Sequence, residues 1–133
     1  MTSLEIVKNY YDCFNRKDWQ GMLDLVDDAV VHFPNEGKPR YGKELFAHFL
    51  NKMDDAYEER LEELVFYTTS DEGKVSVQFM VHGKYKVSEE SLPPAHGQVC
   101  VLPAAAFLTV RNGRIMSVTT YYNLNEWIEK VSE

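Results

Sequence analysis

The chain has 133 residues, a length that fits one domain with a hydrophobic core of its own. Apolar residues make up 44% of it and aromatic residues 13%, which excludes an intrinsically disordered protein. The net charge of −7 disfavours contact with nucleic-acid phosphates and with anionic membrane surfaces, so we expect neither partner.

The first half of the chain has helical periodicity, with apolar residues recurring at intervals of three and four. Helices are predicted over residues 2–16, 19–26 and 43–55. A short strand is predicted over residues 29–33, and it ends at Pro34. Residues 34–42 contain two prolines and two glycines, so we expect a loop there.

The second half alternates between apolar and polar residues, the pattern of a half-buried strand. Strands are predicted over residues 60–68, 74–87, 98–111 and 114–122. Asn112-Gly113, between the last two strands, is a typical hairpin turn. Because Pro103 cannot donate to a strand ladder, we expect a bend or a bulge there. A final amphipathic helix is predicted over residues 124–131.

Helices followed by a strand meander predict an α+β fold in a single domain over residues 1–133. We expect a strongly curved antiparallel sheet in the shape of an open cone, covered by the N-terminal helices. Such a cone is too wide to be filled by its own side chains. The remaining space predicts an apolar pocket for a small hydrophobic molecule.

Cys13 and Cys100 are isolated from each other and from any histidine cluster, and the chain lacks a glycine-rich nucleotide loop. We therefore expect two free thiols, no metal site and no cofactor. The first residues lack the basic and apolar regions of a signal peptide, and no stretch approaches the roughly 20 apolar residues of a membrane span. These features predict a cytoplasmic protein.

Several segments resemble ketosteroid isomerase and its SnoaL-like relatives in the nuclear transport factor 2-like superfamily. The segments are residues 6–15, 18–19, 31–34, 42, 101–107, 112–115 and 121–124. Residues 92–98 and 122–128 are similar to a branch related to steroid delta-isomerase. The resemblance implies a cone-shaped α+β barrel, or cystatin-like roll, and a homodimer formed through the outer face of the sheet.

The resemblance also implies catalytic positions that this chain fills only in part. The oxyanion-binding tyrosine of ketosteroid isomerase matches Tyr10, but its two aspartates match Phe33 and Ala105. Those residues can neither move a proton nor stabilise an oxyanion, so we expect no ordinary steroid isomerase activity. The acid/base aspartate of the SnoaL-like cyclases matches Asn123, whose amide does not titrate.

Three other side chains are candidates for a general base. His32 has an ordinary pKa of about 6.5, which suits proton transfer; it is either a base or a hydrogen-bonded structural histidine. Glu59 follows the third predicted helix; it is either a buried base with a raised pKa or part of the solvated acidic run at residues 58–63. Glu36 is either a displaced base or a surface carboxylate.

Further residues are predicted to contact a ligand. They are Phe33, Asn35, Tyr57, Gln98, Ala105, Tyr122 and Asn123. Tyr10 and Tyr122 either donate hydrogen bonds to a ligand carbonyl or fill the core. The predicted activity is proton transfer, as in isomerisation, cyclisation or hydration, on a small apolar carbonyl or polycyclic compound. A non-catalytic binder of a hydrophobic ligand and a dimerisation module are the alternatives.

Overall fold

A computed structural model describes residues 1–132, and these form an α+β fold, as predicted. The elements in chain order are α1 (Ser3–Asn15), α2 (Trp19–Leu25), β1 (Val26–Phe33), β2 (Arg40–Tyr41), α3 (Lys43–Ala56), β3 (Tyr57–Thr68), β4 (Lys74–Tyr85), β5 (Gln98–Arg111), β6 (Arg114–Tyr122) and α4 (Leu124–Val131). The predicted helices and strands are all present, with ends displaced by at most a few residues.

The strands form one curved, unclosed sheet in the order β2-β1-β6-β5-β4-β3. Neighbouring strands are antiparallel except β1 and β6, which are parallel. β3 therefore forms one edge of the sheet, and β2, with β1 beside it, forms the other. Curvature of the sheet brings side chains from both edges to the same interior space.

Helix α1 begins with the predicted cap, because the Thr2 hydroxyl accepts a hydrogen bond from the Glu5 backbone N–H at 3.1 Å. Its buried face packs on the sheet through apolar and aromatic side chains. They are Ile6, Val7, Tyr10, Tyr11 and Cys13. At its last residue, the Asn15 amide bonds both the backbone N–H and the backbone carbonyl of Leu61, each at 2.9 Å, and so fixes α1 to β3.

Of the bend or bulge expected at Pro103, the bulge is wrong. Pro103 lies in continuous register opposite Met80 on β4, and the register shift in β5 lies between Thr109 and Val110. On its other side β5 pairs with β6 only as far as Ala104. A proline beyond the end of β6 has a neighbouring strand on one side alone, which explains why the sheet tolerates it.

The loop predicted over residues 34–42 contains the short strand β2. Arg40 pairs with His32 and Tyr41 with Val31, which adds a sixth strand to the sheet. Gly42 follows with a φ of +97° and caps helix α3, a conformation that side chains rarely adopt. A two-residue strand has too little pattern to be read from sequence.

The faces of the sheet differ in cover. Side chains such as Val77 and Leu108 point towards the helices and are buried, whereas Phe107 and Tyr121 on the opposite face are 51% and 56% exposed. Both cysteines are buried and unpaired. Across residues 1–132, no helix combines the length and the apolar character needed to cross a membrane.

Candidate functional site: an apolar cavity with two polar walls

A cavity of about 560 Å³ lies between the sheet and the helices. Its volume falls in the range of roughly 300–1,000 Å³ that small-molecule sites occupy. Apolar and aromatic side chains form most of its wall, among them Phe14, Trp19, Phe46, Phe49 and Trp127. Polar groups enter this wall in two places, one on β3 and one on β1 with β2.

The cavity brings together part of the set of residues predicted from sequence. Those that line it are Tyr10, His32, Asn35, Glu36, Tyr57, Glu59 and Tyr122. Four others lie outside the lining, namely Phe33, Gln98, Ala105 and Asn123. The position of each of these four residues in the fold explains why its side chain does not line the cavity.

Strand alternation directs Phe33 and Ala105 away from the cavity. His32 points inward and is only 3% exposed, so its neighbour Phe33 points outward and is 37% exposed. Ala105 pairs with Tyr121 on the uncovered face of the sheet. The two positions that the sequence resemblance matches to the aspartates of ketosteroid isomerase therefore carry no carboxylate, and their side chains point away from the cavity.

Gln98 and Asn123 are occupied by structural hydrogen bonds. The Gln98 amide donates to the carbonyls of Pro94 and Val131 at 2.8 and 2.9 Å, which ties the proline loop to α4. The Asn123 side chain accepts from the Glu126 backbone N–H at 3.0 Å and caps α4. These bonds hold both side chains in the framework beside the cavity.

The first polar wall is built around Glu59 on β3. Asn15 fixes the backbone of β3 at Leu61, two residues further along the strand. Glu59 pairs with Gly83 on β4, and a Cβ placed at Gly83 would lie 3.6 Å from a Glu59 carboxylate oxygen. The Glu59 side chain therefore lies directly against the backbone of β4 at Gly83. The Lys17 ammonium hydrogen-bonds to the Glu59 backbone carbonyl.

Enclosure by the cavity wall changes the acidity of Glu59. Burial raises the pKa of this carboxyl group from 4.5 to about 7, because the charged form loses hydration. The Lys17 ammonium lowers this pKa, and the Glu89 carboxylate raises it further. Near neutral pH the Glu59 carboxyl group is therefore partly protonated, whereas an exposed glutamate is ionised.

Two tyrosines share the wall with Glu59. Tyr57 stacks on Tyr85 with ring centroids 5.4 Å apart, and burial raises its pKa. Burial, together with Glu59, Glu36 and Glu89, raises the pKa of Tyr122 to about 12. Both phenols stay protonated at neutral pH, so each can donate a hydrogen bond into the cavity.

Loop contacts fix the surroundings of these tyrosines. The side-chain oxygen Oδ1 of Asn35 accepts a hydrogen bond from the Tyr122 backbone N–H at 2.8 Å and joins the loop after β1 to the end of β6. The Tyr85 hydroxyl donates to the Pro93 carbonyl at 2.7 Å and accepts from the Glu89 N–H at 3.0 Å. The proline loop is thereby held beside the cavity.

The second polar wall contains His32 on β1. Its ring lies 4.4 Å from that of Phe49 and 5.2 Å from that of Phe46, measured between centroids. Burial, reinforced by the positive charge of Arg40, lowers the pKa of His32 from 6.5 to about 4. The imidazole is therefore neutral at physiological pH, and its buried Nδ1 has no hydrogen-bond partner among residues 1–132.

Arg40 on β2 is a lining residue that the sequence analysis missed. It pairs directly with His32, and its guanidinium lies 4.7 Å from the centroid of the Phe49 ring. Its buried Nη1 also lacks a partner in the described part of the chain. The only local signal is that Arg40 is one of two cations, with Lys38, in a proline- and glycine-rich loop. The direction of the Arg40 side chain depends on the short pairing of β2 with β1.

Tyr10 occupies the helical side of the cavity. It is buried, and its ring meets that of Tyr11 edge to face at 5.0 Å. Burial raises the pKa of Tyr10, so its hydroxyl is a neutral donor. Over residues 1–132, no three His, Cys, Asp or Glu side chains are grouped closely enough to hold a metal ion.

Comparison with solved structures shows close relatives of the whole chain. A Pseudomonas putida protein named as a candidate polyketide cyclase is 44% identical, covers 98% of each chain and has a TM-score of 0.96. A Xanthomonas campestris protein with the same name is 43% identical, with a TM-score of 0.94 over 97% of this chain and 96% of the other. No curated protein matches the chain.

The fold extends to more distant proteins. A nuclear transport factor 2-like protein of unknown function from Burkholderia pseudomallei is 16% identical and has a TM-score of 0.83, with 100% of this chain and 99% of the other covered. At this identity the likeness shows the fold alone, and it confirms the predicted architecture. Residues 7–118 match the family model of the SnoaL-like domain. The chain therefore belongs to the SnoaL-like domain family.

Proposed function

We propose that the cavity is the active site of an enzyme that transfers a proton on a small, mostly apolar carbonyl or polycyclic compound. Glu59 is the observation that carries this proposal, since its carboxyl group lies in an apolar wall and has a pKa of about 7. A base is most effective when its pKa lies near the working pH. The names of the relatives, candidate polyketide cyclases, are compatible with such chemistry.

In the proposed reaction the Glu59 carboxylate takes a proton from a carbon next to the carbonyl group. The electron pair of that C–H bond moves towards the carbonyl oxygen, which accepts a hydrogen bond from Tyr122 or Tyr10. The protonated Glu59 then returns its proton to a carbon or an oxygen of the intermediate. His32 does not serve as the base, because its pKa of about 4 makes it too weak at neutral pH.

Exchange of carbon-bound hydrogen tests the proposal without knowledge of the natural substrate. The probe is 2-tetralone in D₂O, and proton NMR measures the protein-dependent loss of its C1 proton signal. We expect Glu59→Gln to reduce this exchange by a factor of about 10²–10⁴, the usual contribution of a positioned base. Glu58→Gln, one residue away on β3 and exposed, should exchange like the wild type. Equal exchange in the two variants would exclude Glu59 as the base.

A non-catalytic ligand carrier is the second candidate function. It is favoured by Phe33 and Ala105, which replace two catalytic aspartates of ketosteroid isomerase and do not line the cavity. The same experiment separates the two functions. A carrier binds 2-tetralone, as seen by line broadening of its signals, and leaves the exchange rate at the value of the buffer.

We also propose that the uncovered face of the sheet forms a homodimer. Val99, Phe107 and Tyr121 are large apolar residues exposed on this face, and such residues are typical of an interface. Light scattering after size-exclusion chromatography should give twice the mass of one chain, and Phe107→Asp should give a single chain. A monomeric wild-type protein would contradict this.

A cytoplasmic location is likewise proposed, and cell fractionation tests it.

A further inference from the structure

Arg40 places a positive charge on the cavity wall without an ion-pair partner among residues 1–132. None of the ion pairs formed among residues 1–132 includes Arg40. Its guanidinium is held against the face of Phe49, and its Nη1 is buried without a hydrogen-bond partner. A cation with this environment is unfavourable unless a further group compensates it.

His32 presents a second unpartnered polar atom beside Arg40. The two residues are direct partners across the β1–β2 ladder, and only 3% of His32 is exposed. Its Nδ1 forms no hydrogen bond with the described residues. A buried polar atom without a partner is destabilising, so two such atoms on one wall indicate a binding function.

The charges elsewhere on the cavity wall complement this arrangement. Two cations line the cavity, Arg40 and Lys17, and Lys17 lies beside Glu59 and bonds its backbone carbonyl. The acidic lining residues are Glu36, Asp54, Glu59, Glu89 and Glu90. These carboxylates repel a negatively charged group, whereas Arg40 attracts it. A ligand with an anionic end is therefore oriented with that end towards β1 and β2. Its apolar body is then left against the aromatic wall.

We propose that Arg40 and His32 form a subsite for an ionised carboxylate, so that the ligand is a small apolar or polycyclic carboxylic acid. The planar guanidinium offers paired N–H donors that match the two oxygens of a carboxylate. The neutral imidazole contributes one further donor. The inference rests on the proposed function, because it assigns the substrate class of the same cavity. Arg40 and His32 bind the ligand and take no part in the proton transfer.

Two probes of nearly equal size test the subsite by calorimetric titration at pH 7. One probe is 2-naphthoate, which carries the carboxylate, and the other is 2-naphthalenemethanol, which is neutral. We expect the wild type to bind naphthoate at least about tenfold more tightly than the alcohol, and Arg40→Met to lose that preference. The control is Arg111→Met on the exposed β5–β6 hairpin, which should keep it.

Arg40→Lys provides a second variant that keeps the positive charge and loses the paired donors. It should retain part of the preference for naphthoate, and thermal unfolding verifies that each variant is folded. Equal affinity of the wild type for both probes, or an unchanged preference in folded Arg40→Met and Arg40→Lys, would overturn the subsite and leave the cavity a ligand site. If the wild type binds neither probe, the proposed function fails together with the subsite.

Discussion

Glu59 lies on β3 at one edge of the curved sheet, and His32 lies on β1, next to the strand at the opposite edge, yet both line the same cavity. Burial is the largest influence on each of them, yet it moves their pKa values in opposite directions. It raises the pKa of Glu59 to about 7 and lowers the pKa of His32 to about 4. In both cases the neutral form is favoured, because the cavity wall replaces water around the group.

The neighbouring cations distinguish the two walls. Lys17 opposes the effect of burial on Glu59, whereas Arg40 adds to the effect of burial on His32. Glu59 therefore remains able to titrate near neutral pH, and His32 does not. We therefore propose that the β3 wall exchanges protons with the ligand and that the β1–β2 wall binds its anionic end.

Packing on the His32 wall offers the largest expected effect. Phe46 is 1% exposed and packs beside the His32 ring, so Phe46→Ala should destabilise the fold by about 3–5 kcal/mol. Phe49 lines the cavity as Phe46 does, but it is only partly buried, so Phe49→Ala should cost less. Urea denaturation measures both variants. Equal losses would show that the cavity beside Phe49 is filled.

The His32 wall also predicts a loss of stability in acid. The folded-state pKa of His32 is lowered to about 4. The contribution of the neutral imidazole to the free energy of unfolding is therefore fully present above pH 6.5, and it is lost as the pH falls towards 4. His32→Gln cannot be protonated and should lack this loss, which we expect to be about 2–3 kcal/mol. Urea denaturation between pH 4 and 7 measures it. Parallel stability curves for wild type and variant would contradict the lowered pKa.

Glu59 predicts the opposite dependence. Its folded-state pKa is raised from 4.5 to about 7, so stability is highest below pH 4.5 and is lost as the pH rises through 7. Glu59→Gln should therefore be more stable than the wild type at pH 8, by about 1–2 kcal/mol after allowance for screening in an open cavity. At pH 4 the two proteins should be equal. Glu58→Gln serves as the control, and a stabilisation of the same size there would assign the effect to net charge.

The smallest expected effect concerns the coupling between Arg40 and His32. Because burial is the larger cause, Arg40→Met should raise the pKa of His32 only part of the way from about 4 towards 6.5. Titration of the His32 ring protons by NMR measures this shift. A pKa that returns to 6.5 in the variant would show that the charge, rather than burial, controls the histidine.

Local sequence patterns predicted most of the fold but only part of the site. Asn112 and Gly113 both adopt positive φ, 53° and 75°, which their residue types favour, so the hairpin was readable from two residues. The strand predicted after this turn, over residues 114–122, is likewise present as β6. These features depend on neighbours in the chain, and they need no knowledge of the tertiary structure.

The remaining features depend on contacts distant in sequence. The pairing of β2 with β1 directs Arg40 into the cavity, and no pattern within residues 34–42 indicates it. Phe33 was placed at the site by resemblance, but the parity of β1 gives the inward direction to His32. Gln98 and Asn123 have the chemistry of ligand-binding residues, and tertiary hydrogen bonds determined their place instead.

Carbon-13 NMR of the Glu59 side-chain carboxyl group tests the central claim most directly. The resonance is assigned by its disappearance in Glu59→Gln, and its chemical shift is followed from pH 3 to pH 9. A glutamate enclosed by an apolar cavity should titrate with a midpoint near 7. A midpoint near 4.5, the value of an exposed glutamate, would contradict both the enclosure of Glu59 and its role as the base.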